Sequence, residues 1–148
     1  MKEPRPSDDI VIPALLRAAR GAYARAIGAR LAAAGFEDLP RSGPYVLGGM
    51  AMAGGAPTDL ARELRITKQA ASQLIDTLVL RGYLERQPDA GDRRRVSIEL
   101  TERGRAAAGV VHAGVEAVDA ALARRITPDQ LAGLRAGLAA LAEMREEA

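Results

Sequence analysis

The sequence predicts a mostly α-helical protein with one small β-wing, a hairpin of two short strands. Alanine and leucine, which favour helices, supply most of the apolar 48% of its 148 residues. Near both ends of the chain, apolar side chains recur every three or four residues, which is the period of one helix face. In the middle, two strand-like segments flank a Pro/Gly turn. A single domain of this length can bury a real core.

The composition excludes several kinds of site and of location. Cysteine is absent, which excludes disulfides, thiolate nucleophiles and cysteine-based metal sites, and His112 alone cannot form a His-rich metal site. We therefore expect no cofactor. No run approaches the roughly 18 apolar residues of a membrane span. The polar segment MKEPRPSDD lacks the apolar core of a signal peptide, so we expect a cytoplasmic protein with no membrane partner.

Two long helical regions are predicted at the ends of the chain. The first runs from about Asp9 to Ala34, where Gly35 is a plausible stop. The second begins after Thr101 and is interrupted near Thr127, which is followed by Pro, Asp and Gln in a capping-box pattern. Their apolar stripes exceed what a small central module could cover, which favours pairing with a second copy. The alternative is that these helices close only on their own chain.

The central region has the spacing of a helix-turn-helix. A helix is predicted from about Pro44 to before Gly54, and Thr58 is predicted to cap the next short helix, TDLARELR. After a tight link, Thr67 is predicted to cap a helix from about Lys68 to Arg81. One face of that last helix is apolar, with Ala71, Leu74, Ile75 and Leu78, and another is polar, with Gln69, Ser72, Gln73 and Asp76.

A two-stranded wing is predicted directly after this helix. One strand covers about Tyr83 to Gln87 and the other about Arg95 to Leu100, with a turn cluster at 88–92 between them. The second strand alternates in polarity, so Val96, Ile98 and Leu100 are expected to face inward. A lone hairpin is only marginally stable, so the wing must lean on the helices.

Two polar constellations predict contact with duplex DNA. Short or amide side chains near a helix N-terminus can approach base edges, and glutamine can pair with adenine in the major groove. Arginines at a hairpin tip suit the phosphates or a narrow minor groove, and Asp92 could pair with Arg94 and stiffen that tip. The helix set is Thr67, Lys68, Gln69, Ser72 and Gln73, and the wing set is Arg93, Arg94 and Arg95 with Asp92 in support. The alternative for both is an ordinary solvated surface.

An enzymatic function has little support in the sequence. It would require His112 to work beside a nucleophile or a pair of carboxylates, and Glu116 lies one turn away on the same helix. No nucleophile motif accompanies them, so a structural or solvated histidine is the better interpretation. We expect no catalytic residues.

Three segments resemble the MarR family of winged helix-turn-helix regulators. They are the stretch PTDLARELRITKQAASQLIDTLVLRGYLER, the D-x-R wing motif at Asp92-Arg93-Arg94, and the junction Leu100-Thr101-Glu102-Arg103-Gly104. The flanking helices are similar only in length and pattern. The resemblance implies a winged helix-turn-helix lobe over 44–104, flanked by dimerisation helices at 9–34 and 105–146 within one domain.

The same resemblance implies a function. A homodimer would bind double-stranded DNA at a palindromic operator as a cytoplasmic, nucleoid-associated regulator, usually a repressor. By motif position, Lys68, Gln69, Ser72 and Gln73 would read the major groove and Arg94 would approach the minor groove. Many members release DNA when a small, often phenolic, anion binds, which implies such an effector here, although no motif carries its site. The alternative is a dimeric architectural or protein-interaction module without strong sequence preference.

Overall fold

The computed structural model describes residues 7–53, 59–89, 91, 92, 94 and 96–144. The helices are α1 (Ile12–Ala33), α2 (Gly43–Met52), α3 (Leu60–Leu64), α4 (Lys68–Leu80), α5 (Glu102–Ala123) and α6 (Pro128–Glu143), and the strands are β1 (Leu84–Pro88) and β2 (Val96–Leu100). The predicted fold class, mostly α with a small β-wing, is confirmed. Two compact units divide the chain, one up to Val115 and the other from Glu116 onward, so α5 contributes to both.

The first unit contains the winged helix-turn-helix and one continuous hydrophobic core. Its most deeply buried large side chains come from α2, α4 and the start of the wing, which shows that these elements pack against one another. The buried apolar residues are Leu31, Val46, Leu47, Met50, Leu60, Ala71, Leu78, Tyr83, Leu84, Leu100, Ala107, Ala108 and Val111. The apolar stripe predicted for the helix before the wing is therefore fully buried at Ala71 and Leu78 and half-buried at Leu74 and Ile75.

Helix α1 begins at Ile12, three residues later than predicted, and Pro13 lies in its first turn as expected. The chain leaves the helix through Gly35, which has a φ of 86°, a conformation that glycine adopts without strain. The start of the apolar stripe is exposed at Ile12, whereas Leu31 near its end is buried. At Gly114 of α5, an added Cβ would lie 2.9 Å from the Cγ1 of Ile27, so this glycine permits close approach of α1 and α5.

The N-cap of α3 is Asp59, and the prediction of Thr58 as its cap is wrong. The helix begins one residue later than expected, and an Asp59 carboxylate oxygen accepts a hydrogen bond from the Arg62 backbone N–H at 3.2 Å. Thr58 itself lies outside the described residues. Aspartate and threonine are both good N-cap residues, so their adjacency leaves the boundary undetermined from the sequence.

The two strands of the wing pair antiparallel, from Leu84 opposite Leu100 at the base to Pro88 opposite Val96 near the tip. The inward alternation predicted for the second strand holds at Leu100, which is buried, and at Ile98, which is half-buried. It is wrong for Val96, which is 61% exposed. The reason is that the hairpin extends beyond the helices against which its base packs, so the residue nearest the tip has no core to enter.

In the second unit, α6 begins with the predicted capping box. The Thr127 hydroxyl accepts from the Gln130 N–H at 3.2 Å, and the Gln130 side-chain oxygen accepts from the Thr127 N–H at 2.9 Å. No residue between Pro128 and Glu143 is buried. Its leucine stripe is exposed in the single chain, by 43% at Leu134, 41% at Leu138 and 43% at Leu141.

Among the helices that the structure describes, α5 is the one whose length and composition would allow it to cross a membrane. It is still not a continuous apolar run of about 18 residues, because Glu116 and Asp119 interrupt it. A core helix of a soluble protein passes the same test, and this one buries Gly104, Ala107 and Val111 in the first unit.

Candidate nucleic-acid interface

The turn between α3 and α4 orients the helix that carries the predicted base-reading side chains. Arg65 ends α3 in the left-handed conformation, with a φ of 54°, and the Ile66 N–H donates to the Ala61 carbonyl at 3.0 Å. Thr67 then caps α4 as predicted, because its hydroxyl accepts from the Ala70 N–H at 3.0 Å. The N-terminus of α4 is thereby fixed by local hydrogen bonds.

Helix α4 presents its predicted polar side chains to solvent. All of them are exposed, whereas Ala71 and Leu78 on another side of the helix are buried in the core of the first unit. The exposed set is Thr67, Lys68, Gln69, Ser72 and Gln73. The buried stripe fixes which way these side chains point, so they share one accessible surface that starts at the helix N-terminus.

The wing tip is shaped by aspartate side chains that accept backbone hydrogen bonds. An Asp92 carboxylate oxygen accepts from the Arg94 N–H at 3.0 Å, and an Asp89 carboxylate oxygen accepts from the Gly91 N–H at 3.0 Å. Asp92 thus contacts Arg94 through the backbone N–H of Arg94, and the charge pairing of the two side chains stays a prediction. The Arg94 side chain is exposed, and Arg93 and Arg95 lie outside the described residues.

An ion pair that no sequence pattern indicates joins α4 to the wing. The Arg86 guanidinium on β1 contacts and donates to a carboxylate oxygen of Asp76 on α4. The sequence pattern identifies Asp76 only as a member of the polar face. A separation of ten residues across a turn has no periodic signature, so the sequence carries no signal for this contact.

A second unpredicted cluster lies where the chain between α1 and α2 meets the start of α5. The buried Tyr83 hydroxyl donates to the Asp38 carboxylate, and the Arg103 guanidinium donates to the Tyr83 hydroxyl at 3.0 Å and to Asp38 at 3.1 Å. The Arg103 guanidinium also lies over the rings of Tyr83 and Phe36, 4.6 and 5.4 Å from their centroids. The cluster ties residues far apart in sequence into one joint.

The electrostatics of this joint favour the charged form of Asp38. The hydrogen bond from Tyr83 lowers the pKa of Asp38 below its ordinary value, and the positive charge of Arg103 lowers it further against the effect of desolvation. Burial raises the pKa of Tyr83, and its hydrogen bond to the Asp38 carboxylate adds to that rise. Asp38 is therefore an anion and Tyr83 a neutral donor at neutral pH.

We expect Asp38→Asn to change how stability depends on pH. A carboxylate with a lowered pKa in the folded state contributes stability above its unfolded pKa, near 3.8, and loses it as pH falls through the folded value. Wild type should therefore be more stable than Asp38→Asn at neutral pH, and the difference should shrink below about pH 4. Urea unfolding at several pH values measures this.

Glu37→Gln is the control for that measurement, because it removes a negative charge from the adjacent exposed position. A gap between wild type and Asp38→Asn that stays constant from pH 7 to pH 3 would contradict the role given to the Asp38 charge.

The predicted alternative centre at His112 gains no support from its surroundings. His112 is exposed on α5, and the described ranges contain no group of three or more His, Asp or Glu side chains that could hold a metal ion.

Comparison with known proteins finds MarR-family relatives of the central region. A MarR family model matches residues 37–95, which include the helix-turn-helix and most of the wing. The multiple antibiotic resistance protein MarR of Escherichia coli is 32% identical over 79 residues, 53% of this chain and 55% of MarR. The crystal structure of its reduced form superposes with a TM-score of 0.66 at 25% identity, covering 89% of this chain and 96% of that one. The chain is similar to MarR-family proteins over its winged helix-turn-helix region.

Other comparisons find similar proteins of the same kind. The HTH-type transcriptional repressor YetL of Bacillus subtilis is 39% identical over 51 residues, 34% of this chain and 30% of YetL. The chain thus spans about half or less of the lengths of these curated relatives. FabT of Streptococcus pneumoniae, solved in complex with DNA, superposes with a TM-score of 0.77 at 21% identity, over 92% of this chain and 96% of FabT. That likeness confirms the MarR-type winged-helix fold.

Proposed function

We propose that this chain is a sequence-specific DNA-binding transcription regulator. The observation that carries the proposal is the exposed polar face at the capped N-terminus of α4, next to a wing whose tip exposes Arg94. A capped helix with short polar and amide side chains can enter a major groove, and an arginine on the adjacent hairpin can reach the backbone or the minor groove. FabT, which shares the fold, was solved with DNA. Such a protein acts in the cytoplasm, at the nucleoid.

We further propose that it acts as a homodimer on a palindromic operator. In the first unit, the start of α1 and the residues before it expose Ile10, Val11, Ile12 and Leu15. In the second unit, α6 exposes its leucine stripe. Exposed apolar surface of this kind is typical of protein–protein interaction sites, and a second copy of the chain would cover it. A two-fold dimer presents two recognition helices to half-sites about one helical turn apart, roughly 34–36 Å.

Repression is the proposed mode of action, through occupancy of a promoter. YetL is named as a transcriptional repressor, and its likeness to this chain supports the proposal. Release by a small phenolic or anionic effector would follow if that ligand bound better to a dimer whose recognition helices no longer match the half-site spacing. The chain carries no cysteine, so thiol oxidation cannot be its signal.

The deciding experiment is selection of bound duplexes from a random pool at physiological salt, with the stoichiometry measured on the winning sequence. An enriched inverted repeat bound by two chains is the expected result, and it would supply a probe for effector screening. No enriched site, with only salt-sensitive bulk binding, would contradict the proposal and favour an architectural or protein-interaction module.

Arg94→Ala should weaken binding to all duplexes, because an arginine at the wing tip acts chiefly on phosphates and groove potential. The slope of log K against log salt concentration should become shallower by about 0.9 for each phosphate that the variant no longer neutralises. Fluorescence anisotropy over a salt series measures this on the selected duplex and on an unrelated one.

Arg135→Ala on α6 is the matched control for Arg94→Ala, since it removes the same charge from an exposed helix outside the predicted interface. Equal salt slopes for wild type and Arg94→Ala would remove the wing arginine from the interface.

A further inference from the structure

The Asp76–Arg86 ion pair lies at the boundary between the two DNA-facing elements of the proposed interface. Asp76 follows Gln69 and Gln73 along α4 at spacings of four and three residues, so it continues the face that carries the proposed base-reading side chains. Arg86 belongs to β1, the first strand of the wing. The pair therefore connects the recognition helix directly to the wing.

The register of the wing shows what Arg86 does there. Directly opposite residues of an antiparallel pair project on the same side of the sheet, so Leu84, Arg86 and Pro88 share a face with Leu100, Ile98 and Val96. That inner face is buried at Leu84 and Leu100, half-buried at Ile98 and exposed at Val96. Going from the base to the tip, the hydrophobic core thus stops supporting the wing near the level of Arg86.

At the level of Arg86, the ion pair with Asp76 holds the wing where apolar packing ends. The Ile98 side chain packs against the core cluster, while the guanidinium of Arg86, opposite it, bonds to Asp76. The base of the wing is fixed separately, by the Tyr83 N–H donating to the Leu78 carbonyl at 2.9 Å and by the buried Tyr83 side chain. A hairpin that is attached at its base and again halfway along its length has a defined angle to α4. That angle determines where the tip places Arg94.

Charge gives the pair a second effect. An unpaired carboxylate on the DNA-facing side of α4 would repel phosphates, and the Arg86 guanidinium neutralises it. Side-chain exposures of 45% for Arg86 and 62% for Asp76 mean that solvent screens the pair, so it contributes little to folding stability. Its effect should therefore appear in DNA binding and not in unfolding.

We infer that Asp76 and Arg86 are a positioning pair for DNA binding, which sets the angle between the recognition helix and the wing. The inference rests on the proposed function. For the removal of the Asp76 charge, it predicts a change in DNA affinity opposite to the one expected from charge alone. Removing the negative charge of Asp76 near DNA should tighten binding if charge alone matters, and it should weaken specific binding if the carboxylate holds the wing in place.

The test measures affinity for the selected operator with Asp76→Asn, Arg86→Gln and the double variant. Either single change should weaken specific binding about tenfold, and the double variant should be no weaker than the worse single one, because both break the same contact. Arg86→Lys, which retains the charge, should recover part of the loss. Thermal unfolding should be unchanged in all four variants.

A second measurement separates wing position from a general loss of structure. Arg94→Ala should cost less affinity in the Asp76→Asn background than in wild type, because the misplaced wing tip no longer engages fully. Tighter or equal operator binding by Asp76→Asn, or additive effects of the Asp76 and Arg94 changes, would overturn the inference while wild-type binding upholds the proposed function. A wild-type protein that enriches no duplex would overturn both.

Discussion

Gly104→Ala should destabilise the first unit strongly, by about 3 kcal/mol or more, which is a large part of the stability of an ordinary domain. A Cβ added at this position would overlap the Tyr83 carbonyl oxygen and lie 3.0 Å from the carbonyl carbon and 3.2 Å from the Cδ2 of Leu100. Most of these atoms belong to backbone that cannot turn aside. The Tyr83 carbonyl also accepts the Thr101 N–H at 3.1 Å, so separating α5 from the wing would break that bond.

Gly109→Ala is the matched control on the same helix. Apart from its two chain neighbours and the backbone of its own helix, no atom of the described residues lies within 4 Å of a Cβ built at Gly109. The substitution should therefore be neutral or stabilise the helix by up to about 1 kcal/mol. Urea unfolding followed by far-ultraviolet circular dichroism measures both variants. A Gly104→Ala protein that unfolds at the wild-type urea concentration would show that α5 and the wing are not in close contact at this point.

Gln73→Ala should lower the affinity for the selected operator by about 1–3 kcal/mol and leave non-specific binding nearly unchanged. The Gln73 side chain is exposed on the face of α4 that bears Gln69 and Ser72, and an amide can make two hydrogen bonds to an adenine edge. Anisotropy titrations with the operator and with a scrambled duplex at one salt concentration give the specificity ratio directly.

Gln87→Ala tests whether any exposed amide would have the same effect. Gln87 is exposed on β1 and donates to Glu85, outside the predicted base-reading set. It should leave the specificity ratio unchanged. If Gln73→Ala reduces operator and scrambled binding equally, Gln73 supports the complex without reading bases.

Most of the secondary structure was predictable because its determinants are local. The Thr67 cap, the Thr127–Gln130 capping box and the turn before the wing each depend on residues within about one helical turn of one another. The predictions were wrong where two adjacent residues could serve the same role, or where a sequence pattern continued beyond the core. Asp59 and Thr58 are adjacent candidates for one cap, and Val96 continues an alternation that has lost its core.

The exposed members of the candidate site were also accessible from the pattern. An apolar stripe of period 3.6 on α4 defines the buried side, and the exposed polar side follows from it. The contacts that hold the site in shape were not accessible. Asp76 and Arg86 look like two ordinary surface charges in the sequence, and Asp38 lies in a connecting segment with no motif at all.

The sequence by itself determined the helices, the hairpin, the faces of α4 and the resemblance to MarR-family regulators. Only the tertiary structure decided which distant residues meet. Asp38 reaches Tyr83 across 45 positions and Arg103 across 65, and Gly104 is needed because a neighbouring backbone passes where its side chain would be. Periodicity and capping report on bonds within a few residues, whereas these contacts exist only after packing has brought separate elements together, and no local pattern encodes that distance.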